Sequence, residues 1–277
     1  MTGKQKTFMI RIVITAVVLV LAVIFIFPFL WMISTSFKME MDVFDFPIQL
    51  IPKTWNLENY KKVFADSNFL LFYRNSLFIS VVSVAGNLVL SSAAAYAFAR
   101  LKFRGSKGIF ALYMITLMIP LQIVLLPKFI LFQRIGLYDS YWALILPAMI
   151  SPFATFFLRQ TYLSIPMELS EAGLIDGASQ WRIYWQLIMP LAKGSMVTVG
   201  ILAFIDSWND YMQPSILLRS VEKFTIPIGL EWFSTSNSSN YALIMAATVV
   251  SLIPILLIFI LTQKYYIESI AASGIKG

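Results

Sequence analysis

The sequence predicts an all-α membrane protein of six transmembrane helices, on three observations. Hydrophobic residues make up 59% of the 277 residues and charged residues only 13%, with a mean hydropathy of +0.78, whereas a water-soluble domain carries about 25% charged residues. The apolar residues fall in continuous runs, not in the alternating segments of about 10 residues that barrel strands need. Each run is long enough to cross a bilayer, which takes roughly 20 residues of helix, and six of them with their loops account for the length.

The first span covers residues 8–33. A short basic stretch with Lys4 and Lys6 precedes it, but the run is too long for a signal-peptide core and lacks a small-residue cleavage site, so it reads as a retained helix. The loop that follows, residues 34–74, carries Pro47, Pro52 and Trp55, and residues 56–64 suit a short interfacial helix within a lid. The second span covers residues 75–99, and residues 100–107 then hold Arg100, Lys102, Arg104 and Lys107. That cluster, with Lys4, Lys6 and Arg11, places the N-terminus and this loop on the cytoplasmic side, and six spans put both termini there. Lys38, Lys53, Lys61, Lys62 and Arg74 in the first outer loop run against the rule.

Spans three and four cover residues 109–131 and 141–158. They contain Pro120, Pro127, Pro147 and Pro152, each of which frees backbone groups that neighbours or cavity water must satisfy, as in kinked helices lining a passage. The fifth span covers residues 195–218 and the sixth residues 241–262. Without internal repeats, low-complexity tracts or a Gly/Ser linker, residues 1–277 read as one transmembrane domain: 1–74 with the first span and outer loop, 75–263 with the five-span core, and a cytoplasmic tail at 264–277.

The chain has no histidine and no cysteine, which removes histidine acid–base catalysis, thiol chemistry, disulfides and the common zinc sites. It also has no Gly-x-x-x-x-Gly-Lys-Ser/Thr stretch to cradle nucleotide phosphates, so it is not expected to be an ATPase and any energy comes from another polypeptide. The net charge of +7 reads as basic residues held at a membrane surface with anionic lipid, not as a nucleic-acid interface.

Two stretches stand out chemically. In the loop at about 159–194, Ser164 suits a helix cap, Pro166 its first turn and Glu168 its positive end, for a short helix ending near Ile175. Gly177 supplies a position for positive φ, and Ser179 caps a second helix on which Trp181, Tyr184, Trp185 and Ile188 share a face. By pattern alone that face suits a partner's groove and the lipid interface equally. On the fifth span Asp206 and Asp210 lie four apart on one face, and charges at that depth mark function by default. They are path-lining candidates together with Asn209, or, in a rival reading, the proton relay of a secondary transporter; an intramembrane enzyme lacks any supporting motif.

The loop carries a resemblance. Glu171, Ala172, Asp176, Gly177, Ala178, Tyr184 and Pro190 are similar to the EAA coupling loop of permease subunits of binding-protein-dependent ABC importers, with Gly173 at the third motif position, where glycine is expected to loosen the helix. Met118 to Gln122, Tyr141 to Pro147, Leu163 to Pro166, Trp208 to Asp210 and the ending from Lys264 to Gly277 also resemble carbohydrate importers of the maltose and oligosaccharide type, in particular the second six-span subunit of the pair.

The resemblance implies a permease that moves a sugar by alternating access. ATPase coupling would pass through Glu171, Ala172, Gly173, Asp176, Gly177, Ala178, Trp181, Tyr184, Trp185 and Pro190. It implies a second homologous permease, two ATPase subunits that hold the ATP and Mg, an extracytoplasmic sugar-binding protein, and residence in a bacterial or archaeal cytoplasmic membrane. It further implies that residues 219–240 meet the binding protein and that residues 273–277 reach the ATPases.

Overall fold

The computed structural model describes residues 3–47, 49–237 and 240–274, with the side chains of residues 3–7, 67 and 264–274 outside that description. Of the expected tail contact at 273–277, residues 275–277 lie outside the described residues. The helices run α1 Gly3–Ser36, α2 Glu58–Ala65, α3 Ser67–Arg100, α4 Ser106–Ile115, α5 Leu121–Arg134, α6 Trp142–Ala148 and α7 Pro152–Ser164. They continue with α8 Met167–Ile175, α9 Gln180–Ile183, α10 Met189–Leu191, α11 Lys193–Asn209, α12 Met212–Leu217, α13 Ile226–Ser236 and α14 Tyr241–Gly274. Among the described residues no strand occurs.

Among the described residues four segments are long and apolar enough to cross a membrane: Phe8–Ser36, Asn68–Arg100, Trp142–Ser164 and Tyr241–Gln263. The number rises to six when two bent pairs each count as one span, Ser106–Met118 with Leu121–Arg134 at 101° and Gln180–Leu191 with Lys193–Asn209 at 80°.

The expected prolines act unequally. Ile119 and Ser151 both take extended backbone, at ψ 116 and ψ 110, because the ring of a following proline disfavours the α region. Pro120 therefore breaks the third expected span, and Pro152 interrupts the helix of the fourth within a segment, Trp142–Ser164, that still counts as one span, while Pro127 and Pro147 stay inside α5 and α6. The fifth expected span, 195–218, is not one helix either. Its helix ends at Asn209, Asp210 turns to ψ 111, and α12 starts afresh at Met212. The 17 residues of α11 reach only about 25 Å, short of the roughly 30 Å of a bilayer core.

The chain resolves into two compact units. The smaller holds residues 1–69 and 230–252. In it Asn59 Nδ2 donates to the carbonyls of Ser36 and Lys38, both at 2.9 Å, so the expected short helix α2 ties down the end of α1. The Glu40 carboxylate accepts from the Ala242 amide at 2.9 Å, and Phe69 meets Phe233 at 5.8 Å between centroids. Most large apolar side chains of α1 from Phe8 to Leu30 remain exposed on this chain, the condition of a helix whose neighbour is lipid or another subunit.

The larger unit holds residues 70–229 and 253–277, and α3 is its polar spine. Asn75 donates to the carbonyls of Glu222 and Phe224 at 2.8 and 3.0 Å, and Ser76 Oγ accepts the Ile226 amide at 2.7 Å. Further along the same helix Asn87 donates to the Ala148 carbonyl at 3.0 Å, satisfying a backbone group left over where α6 stops short of Pro152. Around this spine pack two apolar clusters, one with Tyr96, Leu158, Tyr162, Ile183, Tyr184 and Ile188, the other with Ile79, Phe132, Ala143, Leu144, Ile145 and Leu217.

Candidate functional site

The loop between α7 and α11 is built around a closed turn. Asp176 caps α8, Gly177 takes φ +75°, the Gly177 amide donates to the Leu174 carbonyl at 3.0 Å and the Ala178 amide to the Gly173 carbonyl at 2.9 Å. That pair of bonds is a Schellman motif, which satisfies the last carbonyls of α8 and needs a residue able to adopt the left-handed conformation. Ser179 then caps the next helix, its Oγ accepting from the Arg182 amide at 3.3 Å. Ser164 does not act as the expected cap: it closes α7, its Oγ donating to the Thr161 carbonyl, and Pro166 occupies the N-cap of α8 with no side-chain bond. Glu168 lies in the first turn of α8 as expected.

Gly173 is buried, and a Cβ there would stand 3.2 Å from both Ile183 Cγ1 and Leu187 Cδ1. Its absent side chain lets α8 lie close against the segment after Ser179, so the expected loosening gives way to tighter packing. The predicted four-residue face divides. Residues Tyr184–Ile188 form a π turn, whose wider winding shifts side chains off the 3.6-residue register. Tyr184 and Ile188 sink into the chain's own core at 3% and 0% exposure, while Trp181 and Trp185 stay 67% and 53% exposed and stack at 6.5 Å, 15° from parallel. Glu171, Ala172, Asp176, Gly177 and Pro190 are exposed and Ala178 half-buried. With Leu174 and Ile175 also exposed, the loop presents a small apolar patch edged by carboxylates.

Ser92 and Tyr96, which sequence reasoning passed over, hold this loop together with Arg100, which it read only as a cytoplasmic-side charge; the three are spaced by four along α3 and so lie on one face. Ser92 Oγ lies 2.9 Å from Tyr162 Oη and 2.7 Å from Tyr184 Oη. Tyr96 Oη donates to Gln180 Oε1 at 2.8 Å. Arg100 Nη2 donates to the Tyr162 and Ile165 carbonyls at 2.6 and 2.7 Å, closing the end of α7. The available signal was polar residues recurring at helical spacing within an apolar run.

A second feature is a cavity of about 720 Å³ in the larger unit, walled by parts of α3, α5, α6, α7, α11 and α12. Asp206 and Asp210 both line it; Asn209 does not, its side chain being bonded to the Ile205 carbonyl. Gln213 joins the Asp210 carboxylate through its side-chain amide nitrogen at 2.8 Å and its backbone amide at 3.2 Å, and its side-chain oxygen accepts from Lys128. Lys128 and Gln213 were not singled out from the sequence, although a lysine within an apolar run is itself a signal.

Outside the spans, Asp139 sits at φ 56° between α5 and α6 and ties that connection to the one after α12. Burial opposes its ionisation, but the Ser220 hydroxyl, the Arg219 and Ser220 amides and the Lys223 ammonium outweigh it, holding the carboxyl well below the usual range. Among the described residues no group of three or more His, Cys, Asp or Glu side chains could hold a metal.

Residues 87–270 match the family of binding-protein-dependent transport system inner membrane components. The chain is 37% identical to the arabinooligosaccharides transport system permease protein AraQ of Halalkalibacterium halodurans, over 93% of both proteins. It is 35% identical to the galactooligosaccharides transport system permease protein GanQ of Bacillus subtilis, over 93% of this chain and 92% of that one. In structure it is similar to a chain of a bacterial ABC transporter involved in the import of the acidic polysaccharide alginate, with a TM-score of 0.85, 25% identity, and coverage of 96% of this chain and 99% of that one.

Proposed function

The chain belongs to the family of binding-protein-dependent transport system inner membrane components, and from that premise we propose how it works in an importer of sugars or oligosaccharides. It is a membrane permease subunit of an ABC importer. The observation that carries the carbohydrate reading is identity of 37% and 35% to permeases of arabino- and galacto-oligosaccharide systems along more than nine-tenths of the chain.

The loop from α8 to α10 serves as the coupling element, on the strength of its closed Schellman turn, its exposed Trp181 and Trp185, and its attachment to α3. In this reading it faces the cytoplasm, as do both termini, and seats in a groove of one of two ATPase subunits. Those subunits bind ATP and Mg and do the hydrolysis. A second homologous permease completes the passage, and an extracytoplasmic binding protein delivers the sugar to the side bearing residues 219–240. ATPase closure pushes the loop, the ladder Ser92–Tyr96–Arg100 carries the displacement into α3 and α7, and the cavity holding Asp206 and Asp210 changes the side to which it opens. The membrane is the cytoplasmic membrane of a bacterium or archaeon.

A proton-coupled transporter using Asp206 and Asp210 is not favoured by the family to which the chain belongs. Reconstitution separates the two. The chain with its permease partner, ATPases and binding protein should accumulate labelled oligosaccharide in proteoliposomes only with ATP, and the chain alone should accumulate none. Uptake by the chain alone that collapses with the proton gradient would overturn the importer reading.

A further inference from the structure

Resting on the carbohydrate reading above, we propose that the cavity between α3 and α11 accepts uncharged sugars or polyols and rejects anionic ones such as uronates and sugar phosphates. The relatives leave this open, since arabino- and galacto-oligosaccharides are neutral whereas alginate is acidic. The cavity wall of this chain decides it by charge. Its ionisable lining residues are Asp206, Asp210 and Lys128, a net charge of −1. The lysine is already taken, its ammonium donating to Gln213, which in turn donates to Asp210. Among the described residues no further cation lines the cavity to meet a carboxylate or phosphate. Asp206, exposed on the wall, is held by no hydrogen bond among the described residues.

A second, independent observation concerns the uncharged groups. Ser83 Oγ, Asn87 Oδ1 and Thr225 Oγ1 are buried without a hydrogen-bond partner among the described residues, and all three residues line this cavity. Buried polar atoms are almost always bonded, so three unpartnered ones in residues that line one cavity give its wall polar groups that a small side-chain turn presents to an occupant. Carboxylates and the Asn87 oxygen that accept only, with Ser83 and Thr225 hydroxyls that both donate and accept, match a ligand rich in O–H groups, which do both. A sugar carries such groups on most of its ring carbons. An added anion would instead face two carboxylates with no unengaged cation on the wall, and like-charge juxtaposition is unfavourable.

The test uses the assembled complex of this chain, its permease partner and ATPases in lipid nanodiscs, without binding protein, read by saturation-transfer NMR. The probes are neutral trisaccharides of arabinose, galactose and glucose, glycerol, and the trisaccharides of galacturonate and glucuronate. At least one neutral probe should show transfer about tenfold above every uronate. Asp206→Asn should weaken the neutral signal, and Asp206→Lys should shift preference toward uronates, with gel filtration confirming that each complex stays assembled. Equal or stronger transfer to uronates in the parent, or parental preference in the Asp206→Lys complex, overturns the proposal. Transfer from none of the probes overturns it as well. ATP-driven uptake with binding protein present shows whether the carbohydrate reading falls with it: neutral or acidic sugar uptake leaves that reading standing, and no uptake of any sugar removes it.

Discussion

Arg100 Nη2 donates to the carbonyl oxygen of Ile165 at 2.7 Å, so the last residue of α3 holds the chain where α7 has ended and α8 begins. Hydrogen bonds to a charged donor contribute about 1.5–3 kcal/mol each, and a lysine in the same place carries one nitrogen on a shorter head in place of the two that meet the Tyr162 and Ile165 carbonyls and the Met167 sulfur. Arg100→Lys should therefore insert and pair normally but raise protease cleavage within residues 165–180 about tenfold in open membranes, with hydrolysis partly uncoupled from uptake. Parental cleavage and coupling would show that the bond does not position the loop.

Gly173 and Gly177 should fail for different reasons. At Gly177 nothing lies within 4 Å of where a β-carbon would stand, so only the φ of +75° matters; Gly177→Asn should keep most uptake, while Gly177→Val bears about 1–2 kcal/mol of backbone strain and should uncouple. At Gly173 the backbone is helical and the obstacle is Ile183 and Leu187, each 3.2 Å away. Gly173→Ala should cost little as those flexible tips shift, and Gly173→Leu should abolish ATPase association. Pull-down of the ATPase alongside uptake in the same membranes distinguishes the two sites.

Trp181 and Tyr184 should also part company, despite their place on one predicted face. Trp181→Ala removes an exposed ring and should weaken ATPase docking at least about tenfold while leaving thermal stability unchanged. Tyr184→Phe removes the bond to Ser92 at 2.7 Å and should cost about 1 kcal/mol of stability with docking retained. The check is a melting curve in detergent beside a binding titration for each variant.

Asp139 predicts a pH profile. Its folded carboxyl is held well below the ordinary value, so its contribution is fully present above the unfolded pKa of about 3.9 and is lost as pH falls toward the folded value. The stability gap between parent and Asp139→Asn should be constant from about pH 8 to 5 and shrink only below about pH 4. Thermal aggregation in detergent at stepped pH measures it. A gap that closes already between about pH 7 and 5 would show that Asp139 is not held this way.

Much of the candidate loop was legible because its signals are local. Gly177 at a helix end, Ser179 before the next helix and α8 ending at Ile175 each depend on residues within one turn, where glycine conformation and side-chain capping act. The misplacements have local causes too. Pro166 leaves Ser164 with the preceding helix, and the π turn at 184–188 breaks the 3.6 spacing on which the four-residue face relied. The roles of Ser92, Tyr96 and Arg100 in holding the loop were missed because their partners lie 62 to 92 residues away.

By itself the sequence determined the all-α membrane class, the places of the apolar runs, and the residues that carry the family resemblance, since bilayer thickness and backbone hydrogen bonding leave a long apolar run few alternatives. Only the tertiary structure decided that Pro120 breaks a span where Pro152 merely interrupts a helix, which of Trp181, Tyr184 and Trp185 face outward, and that Lys128 is engaged by Gln213 beside Asp210. Those outcomes depend on which distant groups arrive to satisfy freed carbonyls and buried charges, and chain neighbours carry no record of partners brought together by packing.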